Sequence, residues 1–163
     1  MSESTRYYSR SSRDGLVGAI TAGFFFVLIG MIFVTTPNLF GSIIEFFKDF
    51  GLVPIPNTGN IYFPAPKNPN NHLTVYSAAG QFSLIFGIFL IFILVLRFII
   101  QSPLNKKADT AGDIVFWLGA NYLIGMFLKE SVTTKIWFTF WAAIIMLIGL
   151  TLIIRAIVLA TKP

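Results

Sequence analysis

What most constrains this chain is a series of long apolar runs separated by short polar stretches. The first, Gly15 to Val34, contains no charged residue. At 1.5 Å per residue a helix of that length covers about 30 Å, the thickness of the hydrocarbon core of a bilayer. Ala78 to Gln101 and Ile136 to Ala160 are of similar length with one arginine each, Arg97 and Arg155, and Ile114 to Leu128 is a shorter run. Backbone in lipid must satisfy its own hydrogen bonds, so such runs read as helices. Only 12% of the residues are charged, against about 25% in a soluble domain whose surface must be wetted. The expectation is an all-α membrane protein forming one helical domain over 1–163. It has four transmembrane helices at about 15–35, 78–101, 111–129 and 136–160, an interfacial amphipathic helix at 38–50 and a Pro/Asn-rich outer loop at 51–77.

Local signals set the expected boundaries. Ser11-Ser-Arg-Asp14 and Thr110-Ala-Gly-Asp113 have the spacing of capping boxes, in which a hydroxyl and an acid satisfy free amides at a helix start. Between Asn38 and Phe50, Leu39, Phe40, Ile43, Ile44, Phe47 and Phe50 recur at helical spacing, opposite Ser42, Glu45, Lys48 and Asp49. A helix lying in the membrane interface and a helix packed on the protein's own spans fit that pattern alike. In the outer loop, Pro54, Pro56, Pro64, Pro66 and Pro69 favour extended and turn structure. Ile61-Tyr-Phe63 and Leu73-Thr-Val-Tyr76 are candidates for short strands. A loop this long that keeps its aromatics is expected to pack against something.

The third run is the weak point of the topology, and charge does not decide it. With four spans, Arg6, Arg10, Arg13, Arg97, Lys106, Lys107, Arg155 and Lys162 lie on the cytoplasmic side, with Lys48, Lys67, Lys129 and Lys135 outside. A three-span arrangement exchanges Lys129 and Lys135 for Arg155 and Lys162, and the tally stays eight to four. The argument for a crossing is the lack of a polar face, since only Asn121 is strongly polar between Ile114 and Leu128. Four spans put both termini on the cytoplasmic side of the cell membrane. The first run is long and lacks a small-residue cleavage pattern, so it reads as a signal anchor.

Candidates for chemistry are few. The acids Glu3, Asp14, Glu45, Asp49, Asp109, Asp113 and Glu130 all fall, on this reading, at helix ends or in loops. A coupled transporter generally uses a carboxylate or a broken helix near the bilayer midplane. Without cysteine, thiolate metal sites and iron–sulfur clusters are excluded. His72 stands alone in the outer loop, with no acid nearby in sequence, and reads as a solvated or loop-packing histidine. No catalytic motif is present, so neither an enzymatic activity nor a cofactor is expected, and no small-molecule substrate suggests itself. The net charge of +5 comes from residues scattered beside apolar runs, a pattern of membrane anchoring with no face for nucleic acid.

The informative interior features are small and polar residues. Gly15, Ala19 and Gly23 stand four apart on the first span, and Ala79, Ser83 and Gly87 four apart on the second. Such ladders let a second backbone approach closely, either within the bundle or from another subunit. Gln81 and Asn121 are the strongest neutral polar groups in the spans, and each is expected to hydrogen-bond to another helix. Arg97 and Arg155 lie near the cytoplasmic ends of their spans, where a guanidinium can snorkel to headgroups. The sharper alternative is that both bind one anionic lipid headgroup or a partner's acid.

The Arg-rich head, Arg13-Asp14-Gly15 at the first span and the Ile/Phe-rich helices without cysteine resemble small multi-spanning membrane proteins of archaea. The resemblance implies a style of fold and no activity. The functional expectation is a non-catalytic accessory subunit of a larger membrane complex, of the respiratory or monooxygenase type, whose partners are lipids and other membrane subunits. Alternatives are a small homo-oligomeric channel or transporter and a lipid-binding membrane protein.

Overall fold

A computed structural model describes residues 3–56 and 61–161, with side chains from Arg13 onward in those ranges. The chain is mostly helical. Helix α1 (Glu3–Thr35) is followed by α2 (Leu39–Lys48), strands β1 (Phe50–Pro54) and β2 (Tyr62–Pro66), and a 3-10 turn (Pro69–His72). Helices α3 (Leu73–Ile99), α4 (Leu104–Phe127) and α5 (Thr134–Ala160) complete the chain. Three helices, α1, α3 and α5, are long and apolar enough to cross a membrane. The apolar stretch of α4 is preceded by Lys106, Lys107, Asp109 and Asp113 on the same helix.

Small residues set how the helices pack. Gly80 of α3 faces Ile124 of α4, and Gly87 faces Leu118. Gly119 of α4 faces Leu147 of α5, and Gly112 lies against the carbonyl of Thr151. The opposed numbering makes α4 antiparallel to both neighbours, with α3 and α5 on either side. Helix α1 packs on α3 alone to any extent. Its seam is aromatic: Phe24 stacks on Phe89 at 3.7 Å between centroids, and Phe25 meets Phe82 and Phe86 edge-on. Leu28 is fully buried there. Phe24, Phe25, Phe82, Phe86 and Phe89 thus fill a helix interface, while Phe26, Phe33, Phe92 and Phe98 on the same two helices are exposed.

Both capping-box expectations fail. Helix α1 runs continuously from Glu3 through Ser11 to Thr35, and α4 begins at Leu104, so Thr110 and Asp113 lie inside it. Pro103 sets the α4 start: its fixed φ suits the N-terminal boundary and its missing N–H costs nothing there. Thr110 Oγ1 instead donates back to the Lys106 carbonyl at 2.9 Å, a bond available to any mid-helix threonine. The start of α5 is capped, Thr133 Oγ1 accepting from the Ile136 amide. Each helix–helix turn holds one non-glycine residue at positive φ: Asn38 at 52°, Gln101 at 56° and Ser131 at 51°.

The described residues from α2 to the 3-10 turn, 39–56 and 61–72, pack against the bundle. Leu39, Ile43 and Phe46 of α2 face inward, while Phe40, Ile44 and Phe47 are exposed. The helix therefore packs on α3 and still shows an apolar flank. Of the two strand expectations, the first extends to Tyr62–Pro66. The second is corrected, because Leu73 to Tyr76 form the first turn of α3. The partner of β2 is Phe50–Pro54, pairing Phe50 with Pro66 and Pro54 with Tyr62. Ile55 donates to Ile61 and Lys67 to Asp49, so the alternate pairs containing Pro54, Pro64 and Pro66 are the non-hydrogen-bonded ones. Each proline thus sits where its N–H would have pointed off the hairpin edge, which blocks pairing with a further strand.

Candidate functional site

Three features could act on something outside the chain: the cap formed by α2, the hairpin and the 3-10 turn, the polar groups at the two ends of α4, and the open face of α1. The cap is held by an acid that the sequence did not connect with His72. Asp49 Oδ2 accepts from His72 Nε2 at 2.9 Å and from the Asn68 amide at 2.8 Å, and Oδ1 accepts from Asn68 Nδ2 at 3.0 Å. Burial pushes the Asp49 carboxyl upward, but the bonds from His72 and Asn68 outweigh it and hold its pKa below the ordinary value. His72 is buried and so is the loop-packing histidine of the two forms expected. A second tie, from the Val132 amide to Asn70 Oδ1 at 3.0 Å, fixes the α4–α5 turn to the same segment. Beneath lie Phe46, Tyr76, Trp137 and Phe140, an aromatic cluster in contact around the buried Trp137. Trp137 is therefore a core residue, while Trp141 is half exposed.

At its Leu104 end, α4 carries within the helix two acids that the sequence reading placed in a linker (Asp109) and at a helix cap (Asp113). Because the helix starts at Leu104, Asp109 and Asp113 lie inside it, on one face at a spacing of four residues. Arg155 Nη2 sits 2.6 Å from Asp109 Oδ1, so the counter-ion of Arg155 comes from this chain. A groove of about 430 Å³ between α4 and α5 is lined by Asp109, Asp113, Thr151 and Arg155. Both Arg97 and Arg155 act electrostatically on Asp113. Arg97 buries Nε and Nη1 without a hydrogen-bond acceptor among the described residues. Ser102, in the α3–α4 turn, donates to the Asp14 carboxylate and ties α1 to the C-terminal end of α3.

Near the other end of α4, Gln81 and Asn121 come together on one groove between α3 and α4, of about 340 Å³, with Lys129 at its rim. Neither makes the interhelical hydrogen bond expected of it. Gln81 Nε2 reaches only Ser77 on its own helix at 3.5 Å, and Asn121 has no hydrogen bond among the described residues.

The two small-residue ladders separate. On α3, Ser83 and Gly87 are buried, but Ala79 is exposed, and Gly80 takes its place in the close approach to α4. On α1, Gly15, Ala19 and Gly23 are all exposed, and a Cβ added at Gly15, Gly18, Gly23 or Gly30 would meet nothing within 4 Å. Among the described residues no group of three or more metal-ligating side chains is close enough to hold an ion. No family model, curated protein or solved structure matches the chain.

Proposed function

We propose that this chain is a four-span, non-catalytic subunit of a larger membrane assembly, with both termini on the cytoplasmic side. The crossing of α4 is supported by its geometry. Its 24 residues span about 36 Å, and it runs antiparallel to two helices that are themselves long and apolar enough to cross. If α3 and α5 traverse the bilayer, the ends of α4 lie on opposite sides.

The observation that carries the subunit reading is the open face of α1. Its ladder of small residues points away from α3, onto no other part of the described structure. Within lipid, close backbone approach is a principal source of helix association, because apolar side chains gain little by leaving lipid tails for each other. Gly in a helix interior also lowers helix propensity, so a face carrying Gly15, Gly18, Gly23 and Gly30 forgoes stability that alanine would supply. A helix that docks another chain regains it. The exposed Leu52, Tyr62 and Phe63 of the hairpin extend the apolar surface outward.

The test is gentle detergent extraction of the native membrane, size separation and mass spectrometry of co-migrating chains. Stoichiometric co-migration with other membrane subunits is expected, and Gly23→Leu is expected to release them while leaving this chain folded. Migration as a monomer or homo-oligomer would refute the reading.

A further inference from the structure

The groove near the outer end of α3 and α4 has the chemistry of a lipid site. Its walls are Leu73, Leu84, Ile124 and Leu128, and its polar groups are Gln81, Asn121 and the cation Lys129. Lys129 follows the end of α4, while Gln81 and Asn121 lie one to two turns deeper. The order from outside inward is therefore cation, amides, apolar floor. An anionic glycerolipid presents its groups in the same order: phosphate, the oxygens of the glycerol linkages, then the chain. The volume of about 340 Å³ is at the small end of ligand sites and suits a glycerol unit with the start of one chain. Gly80 lets α4 approach closely at the back of the groove, and Gly125 leaves the groove open. An added Cβ at Gly80 would touch Ile124 at 3.3 Å, and at Gly125 it would meet nothing within 4 Å.

Amide groups left unpaired at this depth are costly, because lipid tails offer them no hydrogen bond. Asn121 has no such bond, and the Gln81 contact to Ser77 is at the limit of hydrogen-bond length. A ligand with oxygen acceptors removes that cost. We propose that this groove binds one anionic glycerolipid of the outer leaflet, with its phosphate at Lys129 and its glycerol oxygens at Gln81 and Asn121. The inference rests on the four-span reading, which places Lys129 at the outer surface. It does not depend on the subunit reading.

The probe is phosphatidylglycerol, supplied as a minor component in phosphatidylcholine nanodiscs holding the purified full chain. Retained lipid is counted by native mass spectrometry. The unaltered chain is expected to retain one phosphatidylglycerol, and glycerophosphoglycerol without chains is expected not to displace it. Lys129→Gln is expected to lower retention about tenfold, the equivalent of one lost charge-assisted hydrogen bond. Gly125→Leu puts a side chain into the groove from a position where an added Cβ meets nothing within 4 Å; it is expected to abolish retention, with thermal unfolding unchanged or raised. Lys135→Gln, on the same side but outside the groove, is the control and is expected to retain the lipid. Equal retention by the unaltered chain, Lys129→Gln and Gly125→Leu would overturn the site, as would equal loss in Lys135→Gln. Topology is scored separately in this cysteine-free chain by membrane-impermeant labelling of Lys129→Cys and Asn105→Cys. Labelling of both from one side would overturn the four-span reading, whereas lost retention specificity with opposite-side labelling overturns the lipid site alone.

Discussion

Gly23 and Gly87 look equivalent in the sequence, each ending a ladder of small residues, and an alanine at each separates their roles. At Gly87 the new Cβ would stand 2.6 Å from Leu118 Cδ2, 2.9 Å from its Cγ and 3.3 Å from its backbone nitrogen. Rotating the Leu118 side chain relieves the first contact, but the backbone nitrogen does not rotate away, so α3 and α4 must separate. Overpacking of this kind costs about 1–3 kcal/mol, against which replacing a helix-interior glycine returns up to about 1 kcal/mol. Gly87→Ala is thus expected to destabilise the bundle by about 1 kcal/mol net. Gly23→Ala meets no atom within 4 Å and is expected to stabilise it by up to about 1 kcal/mol. The gap of about 2 kcal/mol is about thirtyfold in the folding equilibrium constant. Denaturation in mild detergent, followed by circular dichroism on both variants and the parent, measures it. Equal effects, or a loss at Gly23 as large as that at Gly87, would refute the assignment of the α3 ladder to internal packing and the α1 ladder to an open face.

Three further outcomes follow from the outer cap and the turns. Because the folded-state pKa of Asp49 is depressed, its contribution is full above the ordinary value of 3.8 and is lost as pH falls through the lower folded value. Near-ultraviolet circular dichroism of the aromatic cluster is expected to show an acid transition below that value, absent in Asp49→Asn, which is destabilised by about 1–3 kcal/mol throughout. Trp137→Ala removes the ring around which the cap packs and is expected to cost about 3–5 kcal/mol, read as loss of protease resistance in the hairpin. Ser131→Gly relieves a left-handed backbone, φ 51°, and is expected to stabilise by up to about 1 kcal/mol in the same denaturation assay; destabilisation would mean that the serine side chain contributes more than the strain costs.

The sequence by itself determined the solvent this chain is built for. Apolar runs of bilayer length can satisfy their backbone only as helices, so α1, α3 and α5 could be read from composition and length, and the α2 pattern from its spacing. Boundaries were less readable. The Ser-x-x-Asp and Thr-x-x-Asp patterns of capping boxes also fit a helix interior, and nothing local at Thr110 distinguishes a cap from a hydroxyl bonding one turn back. Pro103 sets a start at Leu104 that puts Asp109 and Asp113 inside α4, and only the assembled helices decided that one of them pairs with Arg155. The same holds for His72 and Asp49, which are 23 residues apart and meet because a hairpin folds between them. Tertiary packing also chose among equivalent small residues, burying Gly80 and Gly87 against α4 and leaving Gly15, Ala19 and Gly23 open. The physical reason is that hydropathy is a sum over one segment, whereas a groove, an ion pair or a close backbone approach requires two segments. Their relative rotation is set by side chains distant in sequence.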